Sequence, residues 1–535
     1  MPEYLAPGVF VEEVSSGIKP IEGVGTSTGA FVGRARKGPI NKPVLITNAT
    51  QFTTVFGSLH KDYNLGYGVG NFFGEGGTKC YVVRVFKHAA GGAQDADRAR
   101  TVLSQKLRVL ALNEGEWGNN IFVKVVAPAF DPDDPDNIND PKFGLRVFYK
   151  KNAGPEVNEE KDVVEAFDRL SMKELTADNL PNPFHVENQI NSKSAFIEVD
   201  DITDQTSPPD NSTSPVKLVG GGEGAPLDLP TDFTGHSTNA PGVGLLAFDT
   251  VDDINIVAIP DLFSSALSRE EARIATQEGI KYCENRKDCF FVADCPPGLN
   301  PTQVREYKQA RGDFAQDAGS AFNSTFGALY YPWVKVFDPL RGKAIDFPPS
   351  ASVAGVYSAT DISRGVHKAP AGIVEGRLKT IVGIERDVTK GEHETLNPNG
   401  INVIRNFPEG GLVIWGARTV SADPEWKYVN VRRLFLFLEE SIDEGTQWVV
   451  FEPNDPILWA RIVRNVSAFL RIQWLEGKLV GNKAEEAFFV KCDAETNPQE
   501  SVDLGRVITV IGVAPSKPAE FVIFRIMQKR PGAEA

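Results

Sequence analysis

This chain predicts a mixed α/β protein of several domains with short extended strand arms at both termini, and three observations carry that reading. At 535 residues it exceeds one ordinary hydrophobic core, so about two to four domains are expected. From Gly244 onward, apolar strand-like runs alternate with amphipathic helical runs, the pattern of a partly parallel sheet. Residues 431–481 then carry two helices with one apolar face each.

Composition narrows the function classes. Hydrophobic residues make up 41% and charged residues 24%, an ordinary globular balance. No run approaches the ~18 apolar residues of a membrane span. The opening MPEYLAPGVF has neither the basic nor the apolar region of a signal peptide, so synthesis in the cytosol without general secretion is expected. A net charge of −15 argues against sequence-independent nucleic-acid binding. The five scattered cysteines, Cys80, Cys283, Cys289, Cys295 and Cys492, read as reduced core thiols. The even spacing of the middle three lacks the close pairs of a zinc site.

Residues 1–20 read as an arm, with PGVFVEEV (7–14) a strand too short and isolated to bury itself. Strands follow at 29–36 and 43–47, a capped helix at 47–57, a glycine-rich helix or turn at 66–77, and the strand KCYVVRV at 79–85. Beyond His88 the composition changes. DPDDPDNIND (131–140) cannot pack and reads as a solvated loop, so 93–243 forms an inserted β-rich domain. INIVAIPD (254–261), DCFFVADCP (288–296) and ALYYPWVKVFD (328–338) read as strands. Between and after them lie helices started by Ser268, over 301–314, and after Pro348 and Pro349. Two strands are expected within 401–420, and further strands at 485–493, 506–514 and 520–526.

The stretch 431–481 is the most distinctive. Val431, Leu434, Phe435, Leu438 and Ile442 repeat at helical spacing, and GTQWVVFEP (445–453) reads as a short strand. Asp455 and Pro456 are a helix-start signal, and the second helix is expected to reach about Leu479 before Gly481. Its apolar stripe holds Leu458, Trp459, Ile462, Val463, Val466, Phe469, Leu470 and Trp474. Arg461, Arg464, Arg471 and Lys478 fall on the opposite side, around Ala468. Such a strip is either a plain solvated face or a docking surface for an acidic partner.

Catalytic signatures are missing. Neither Gly342–Lys343 nor Gly477–Lys478 is followed by the Ser or Thr of a phosphate loop. His393 and Glu394 do not extend to HExxH, and no GxSxG occurs. Asp261, His367 and Ser352 have the residue types of a hydrolase set, but nothing local groups them. No metal and no cofactor is expected.

Several segments, in order, resemble the contractile tail sheath family of phage tails and contractile injection systems. They are YLAPGVFVEEVSSG (4–17), GVGTSTGAFVGRARKGP (23–39), GNFFGEGGTKCYVVRV (70–85), DINIVAIPD (253–261) and SVAGVYSATDISRGVHKAPAG (352–372). The likeness is densest over 400–434, FEPNDPILW (451–459) and PAEFVIFRI (518–526). Residues 93–243 carry none of it. The resemblance implies a structural subunit that polymerises with itself, in rings or a helix of six-fold symmetry, around an inner tube protein. It implies an extended metastable state that contracts, with baseplate and tail-terminator or cap proteins as further partners, and no nucleic-acid partner or membrane insertion. The implied particle is assembled in the bacterial cytoplasm and can be released.

The implied layout is an N-terminal arm (1–20), a sheath core in two parts (21–92 and 376–515), an inserted outer domain (93–243), a middle non-catalytic subtilisin-like domain (244–375) and a C-terminal arm (516–535). The implied tube-facing residues are Arg461, Arg464, Arg471 and Lys478. The implied inter-subunit strands contain Val9, Phe10, Val11, Phe521, Ile523 and Phe524. Two other readings stand beside it: a non-contractile shell or surface-layer polymer, and a hydrolase on the middle domain.

Overall fold

The computed structural model describes residues 20–89, 96–127, 140–150, 157–176, 178–202, 207–235, 242–315 and 321–523. Val9, Phe10, Val11 and Phe524 lie outside the described residues, as does most of the acidic run at 131–140. An eight-stranded sheet forms the centre. Strands β1 (Gly29–Gly33), β2 (Val44–Ile46) and β3 (Cys80–Arg84) come before the insertion. Strands β4 (Ile256–Ala258), β5 (Phe290–Asp294), β6 (Gly327–Tyr331), β7 (Ile401–Phe407) and β8 (Gly411–Ile414) come after it. Their order is β8-β7-β6-β5-β4-β1-β3-β2. Pairing from β7 across to β3 is parallel, and β8 and β2 close the edges antiparallel. The sheet therefore runs across the sequence divisions at 92, 243 and 375.

Parallel strands are covered on both faces, which is why their sequences are apolar throughout. The described helices of eight or more residues are α1 (Ala49–Phe56), α2 (Leu65–Glu75), α3 (Arg269–Arg286), α4 (Pro301–Gln309), α5 (Ser350–Arg364), α6 (Val429–Thr446) and α7 (Pro456–Leu475). On one face Phe31, Val82, Ile256, Val292 and Tyr330 pack with Phe72 of α2 and Ala351 and Tyr357 of α5. On the other, Ala30, Val257, Phe291 and Leu329 pack with Ala275 of α3 and Val304 and Tyr307 of α4. Gly355 permits the close approach of α5 to α2, since a Cβ there would lie 2.6 Å from the Phe72 carbonyl oxygen. The Ser268 capping box opens α3, as the sequence predicts.

The insertion folds around its own core. Strands Arg100–Leu103, Leu107–Ala111 and Ile197–Asp201 form one antiparallel sheet. Strands Val216–Lys217, Ile121–Val126, Phe143–Tyr149 and Val163–Leu170 form a second. Between them Val109, Trp117, Val123, Leu145, Val147 and Val199 make a separate apolar cluster. Near the C-terminal end, α6 and α7 bury Leu434, Phe437, Leu438, Leu458, Ile462, Val466, Phe469 and Leu470 together with Ile21. Strands β9 (Phe488–Lys491) and β10 (Val510–Val513) pair antiparallel beside this cluster.

Four sequence expectations change. The run ALYYPWVKVFD splits at Pro332, which has no N–H for a ladder, and Val334–Asp338 pairs instead with Lys343–Phe347 and with Gly383–Ile384. The expected strand in GTQWVVFEP is the end of α6 followed by a 3₁₀ turn, Gln447–Val449. Its apolar run packs Trp448 and Val449 partway onto the α6–α7 cluster without any partner strand. Helix α7 ends at Leu475 because Gly477, at φ 78°, closes the turn four residues before Gly481. Residues 520–523 are extended but pair with no strand among the described residues.

Candidate docking site

Helix α7 begins where chain chemistry dictates. The Asp455 carboxylate accepts from the Leu458 amide at 2.8 Å, and Pro456 takes the first helical position. The Trp459 indole donates to Asn454 Oδ1 at 2.8 Å, tying the turn to the helix. With the apolar stripe buried against α6, the outer face is left exposed along Ile457, Ala460, Arg464, Ala468, Arg471, Ile472 and Leu475. At about 100° per residue these positions share one side.

The four cations predicted for this face separate into two pairs. Arg464 and Arg471 are exposed and have no ion pair or hydrogen bond among the described residues. Arg461 lies partly down, 3.4 Å from Glu452 Oε2 and 4.5 Å above the Trp448 ring. Lys478 leaves the strip. Past the Gly477 turn its ammonium meets Gln473 Oε1 at 2.6 Å and Glu476 at 2.7 Å, and it lies 4.9 Å over the Phe437 ring. The expectation of four outward cations is corrected to two free arginines, because the helix stops too early to carry Lys478 round.

One feature of this face escaped the sequence. At the α6–α7 turn Phe451 is fully exposed with φ 68°, beside Val450 and Ile457, which are 60% and 70% exposed. A left-handed backbone costs a non-glycine residue about 1–2 kcal/mol. An aromatic held so and left bare is a candidate contact. The only sequence signal was a β-like run ending in Phe451, which pointed to burial.

The C-terminal expectation is partly placed. Phe521, Val522 and Ile523 are 72%, 70% and 79% exposed, touching no sheet among the described residues. The β9–β10 sheet holds two strands among the described residues, so no further described strand covers either edge.

Hydrolase residues are not assembled. Asp261 sits just beyond the C-terminal end of β4, next to the end of β1. This is the reversal of strand order at which open α/β sheets hold ligands. There it accepts from the amides of Arg34 and Asn64, each at 2.5 Å, and from Ser264 Oγ at 2.6 Å. The Asp261 carboxylate is thus taken up by the chain itself. Ser352 lies buried within α5 with its hydroxyl unpartnered, and His367 follows that helix with Nδ1 unpartnered, so neither bonds to Asp261. Burial, then Lys478, holds the His367 pKa low. Among the described residues no group of three or more His, Cys, Asp or Glu is placed to hold a metal. All five cysteines are free and buried, and burial raises the thiol pKa values of Cys80, Cys289 and Cys295.

Residues 235–420 match the family described as the phage tail sheath protein central domain, and residues 421–529 match the phage tail sheath C-terminal domain. The two matches adjoin and together cover more than half of the chain. The chain belongs to the phage tail sheath family. The tail sheath protein of Vibrio phage KVP40 is 27% identical over 307 residues, 54% of this chain and 45% of that protein. The tail sheath protein of Enterobacteria phage T4 is 21% identical over 279 residues, 50% of this chain and 41% of its own length. The matches thus span under half the length of these two sheath relatives. Among solved structures, the sheath complex of the extracellular contractile injection system PVC, in its contracted state, superposes with a TM-score of 0.57 at 22% identity, covering 99% of both chains. That superposition therefore runs across the insertion as well.

Proposed function

We propose that this sheath-family chain is a structural, non-enzymatic subunit that polymerises around an inner tube in an extended state and contracts to drive the tube through a target envelope. The observation that carries the reading is the outer face of α7. Two exposed arginines without an ion pair among the described residues, Arg464 and Arg471, stand there on a chain of net charge −15, which suits a partner presenting carboxylates. Exposed ion pairs are each worth only about 0–1 kcal/mol, so such contacts hold in number and still release on contraction.

The terminal segments supply the links between copies. Phe521 and Ile523, together with Phe524, Val9, Phe10 and Val11 outside the described residues, would add strands to sheets of neighbouring subunits, and the edges of β9 and β10 offer such a sheet. Backbone pairing tolerates rotation, so the lattice can rearrange without coming apart. The particle is a phage tail or tail-like assembly, with baseplate and terminator proteins at its ends and six-fold symmetry. No described helix is long and apolar enough to cross a membrane. The test is assembly with and without the tube protein. Tubular polymers whose formation depends on the tube support the reading, and peptidase or esterase activity lost on changing Asp261 would overturn the non-enzymatic part.

A further inference from the structure

The segment that follows β10 is half-buried at Ala514–Ser516, Pro518 and Glu520 and exposed at Lys517 and Ala519. Ser516 is held by backbone bonding to Lys478 at 3.2 Å and by Asn430 Nδ2 on its carbonyl at 3.3 Å. Beside the segment lies a cavity of about 920 Å³, bordered by Trp415, Phe407 and Phe521. Four residues on, Glu520 gathers five donors from three parts of the fold. Arg418 grips it with Nε at 2.7 Å and Nη2 at 2.5 Å, Asn397 Nδ2 donates at 2.7 Å, the Tyr428 hydroxyl at 3.0 Å and Lys427 Nζ at 3.3 Å. Immediately beyond it, Phe521 to Ile523 are largely exposed.

Arg418 is itself fixed to the central sheet. The buried Asn402 in β7 accepts from the Arg418 amide and donates to its carbonyl, both at 2.7 Å. Arg418 Nη1 also donates to the Asn397 carbonyl at 2.9 Å. One residue therefore joins the root of the C-terminal segment to the central sheet, through its side chain to Glu520 and its backbone to Asn402.

We propose that Glu520 is the positioning residue of the C-terminal arm: it fixes where the arm leaves the subunit and passes a pull on the arm through Arg418 and Asn402 into the central sheet. This rests on the reading that the arm joins neighbouring copies. Charge-assisted bonds to a half-buried carboxylate are the strong ones, and here they converge on a single side chain at the last half-buried position before Phe521. Without them the arm root would start nearer Ser516 and swing.

Because all five native thiols are buried, a nitroxide placed on Val522→Cys reports on the arm alone. In the isolated subunit, adding Glu520→Gln should raise the mobile fraction of the label about tenfold or more, a change of about 1.4 kcal/mol. Lys427→Gln, which removes only the longest contact, should leave it near the parent value. Unchanged mobility in Glu520→Gln overturns the anchor. In polymers, Glu520→Gln should assemble yet shed subunits at lower shear, with the melting temperature of the isolated subunit lowered by only about 1 °C. Polymers as resistant as the parent would overturn the transmission of force. The label experiment needs no polymer, so a subunit that shows the mobility change but never polymerises refutes the sheath reading and leaves the anchor standing.

Discussion

Reversing both free arginines, Arg464→Glu with Arg471→Glu, should detach the subunit from its tube and leave the subunit itself intact. Neither side chain makes an ion pair or hydrogen bond within the described residues, so stability should change by no more than about 0.5 kcal/mol. Each arginine facing a carboxylate is worth up to about 1 kcal/mol. Losing two contacts per subunit weakens attachment by up to about 30-fold, before the new repulsion is counted. Salt screens exposed charges beyond about 8 Å at physiological ionic strength. Parent subunits should therefore leave the tube as salt rises, and the variant should bind poorly even at low salt. Co-sedimentation with purified tube across a salt series measures both. A double variant that sediments with the tube along the parent salt curve would refute the assignment of this face.

Other outcomes follow from the same geometry. Phe451→Gly relieves a left-handed backbone without removing any packing, so thermal stability should hold or rise by up to about 1 kcal/mol, while tube attachment in the co-sedimentation assay weakens. Arg433 and Asp361 form a buried pair, with contacts of 2.6 and 3.0 Å, that ties α6 to α5. Arg433→Met leaves that carboxylate buried alone and should cost about 3–5 kcal/mol in urea unfolding. Glu440 on α6 is pushed up to about 8 by burial, then by Asp288, Glu444 and Asp253. A carboxyl raised on folding lends stability fully below its unfolded pKa of about 4.5 and loses it as pH climbs toward 8. Melting temperature should fall across that window, and Glu440→Gln should flatten the fall.

Local chemistry was legible from the chain and long-range pairing was not. Ser268 and Asp455 cap their helices as read, because a cap is settled within four residues. The register that sets Gly29 beside Ile256 joins strands on either side of the insertion, and no local pattern encodes which apolar strands meet. On α7 the apolar stripe and its basic side were readable from periodicity. The loss of Lys478 was not, because it turned on whether Gly477 or Gly481 ends the helix. Trp448 to Phe451 misled for a related reason: four apolar residues read alike whether they pair as a strand or cross the top of two helices. Glu520 looked ordinary, since its five donors belong to four residues about 90 to 120 positions earlier.

The central claim is a subunit that wraps a tube and changes lattice, and electron microscopy of the purified chain mixed with its tube protein tests it most directly. The account predicts tube-filled helical polymers in an extended form, and shorter, wider, empty ones after triggering. Monodisperse monomers, or polymers of one fixed lattice that form equally well without the tube, would contradict it.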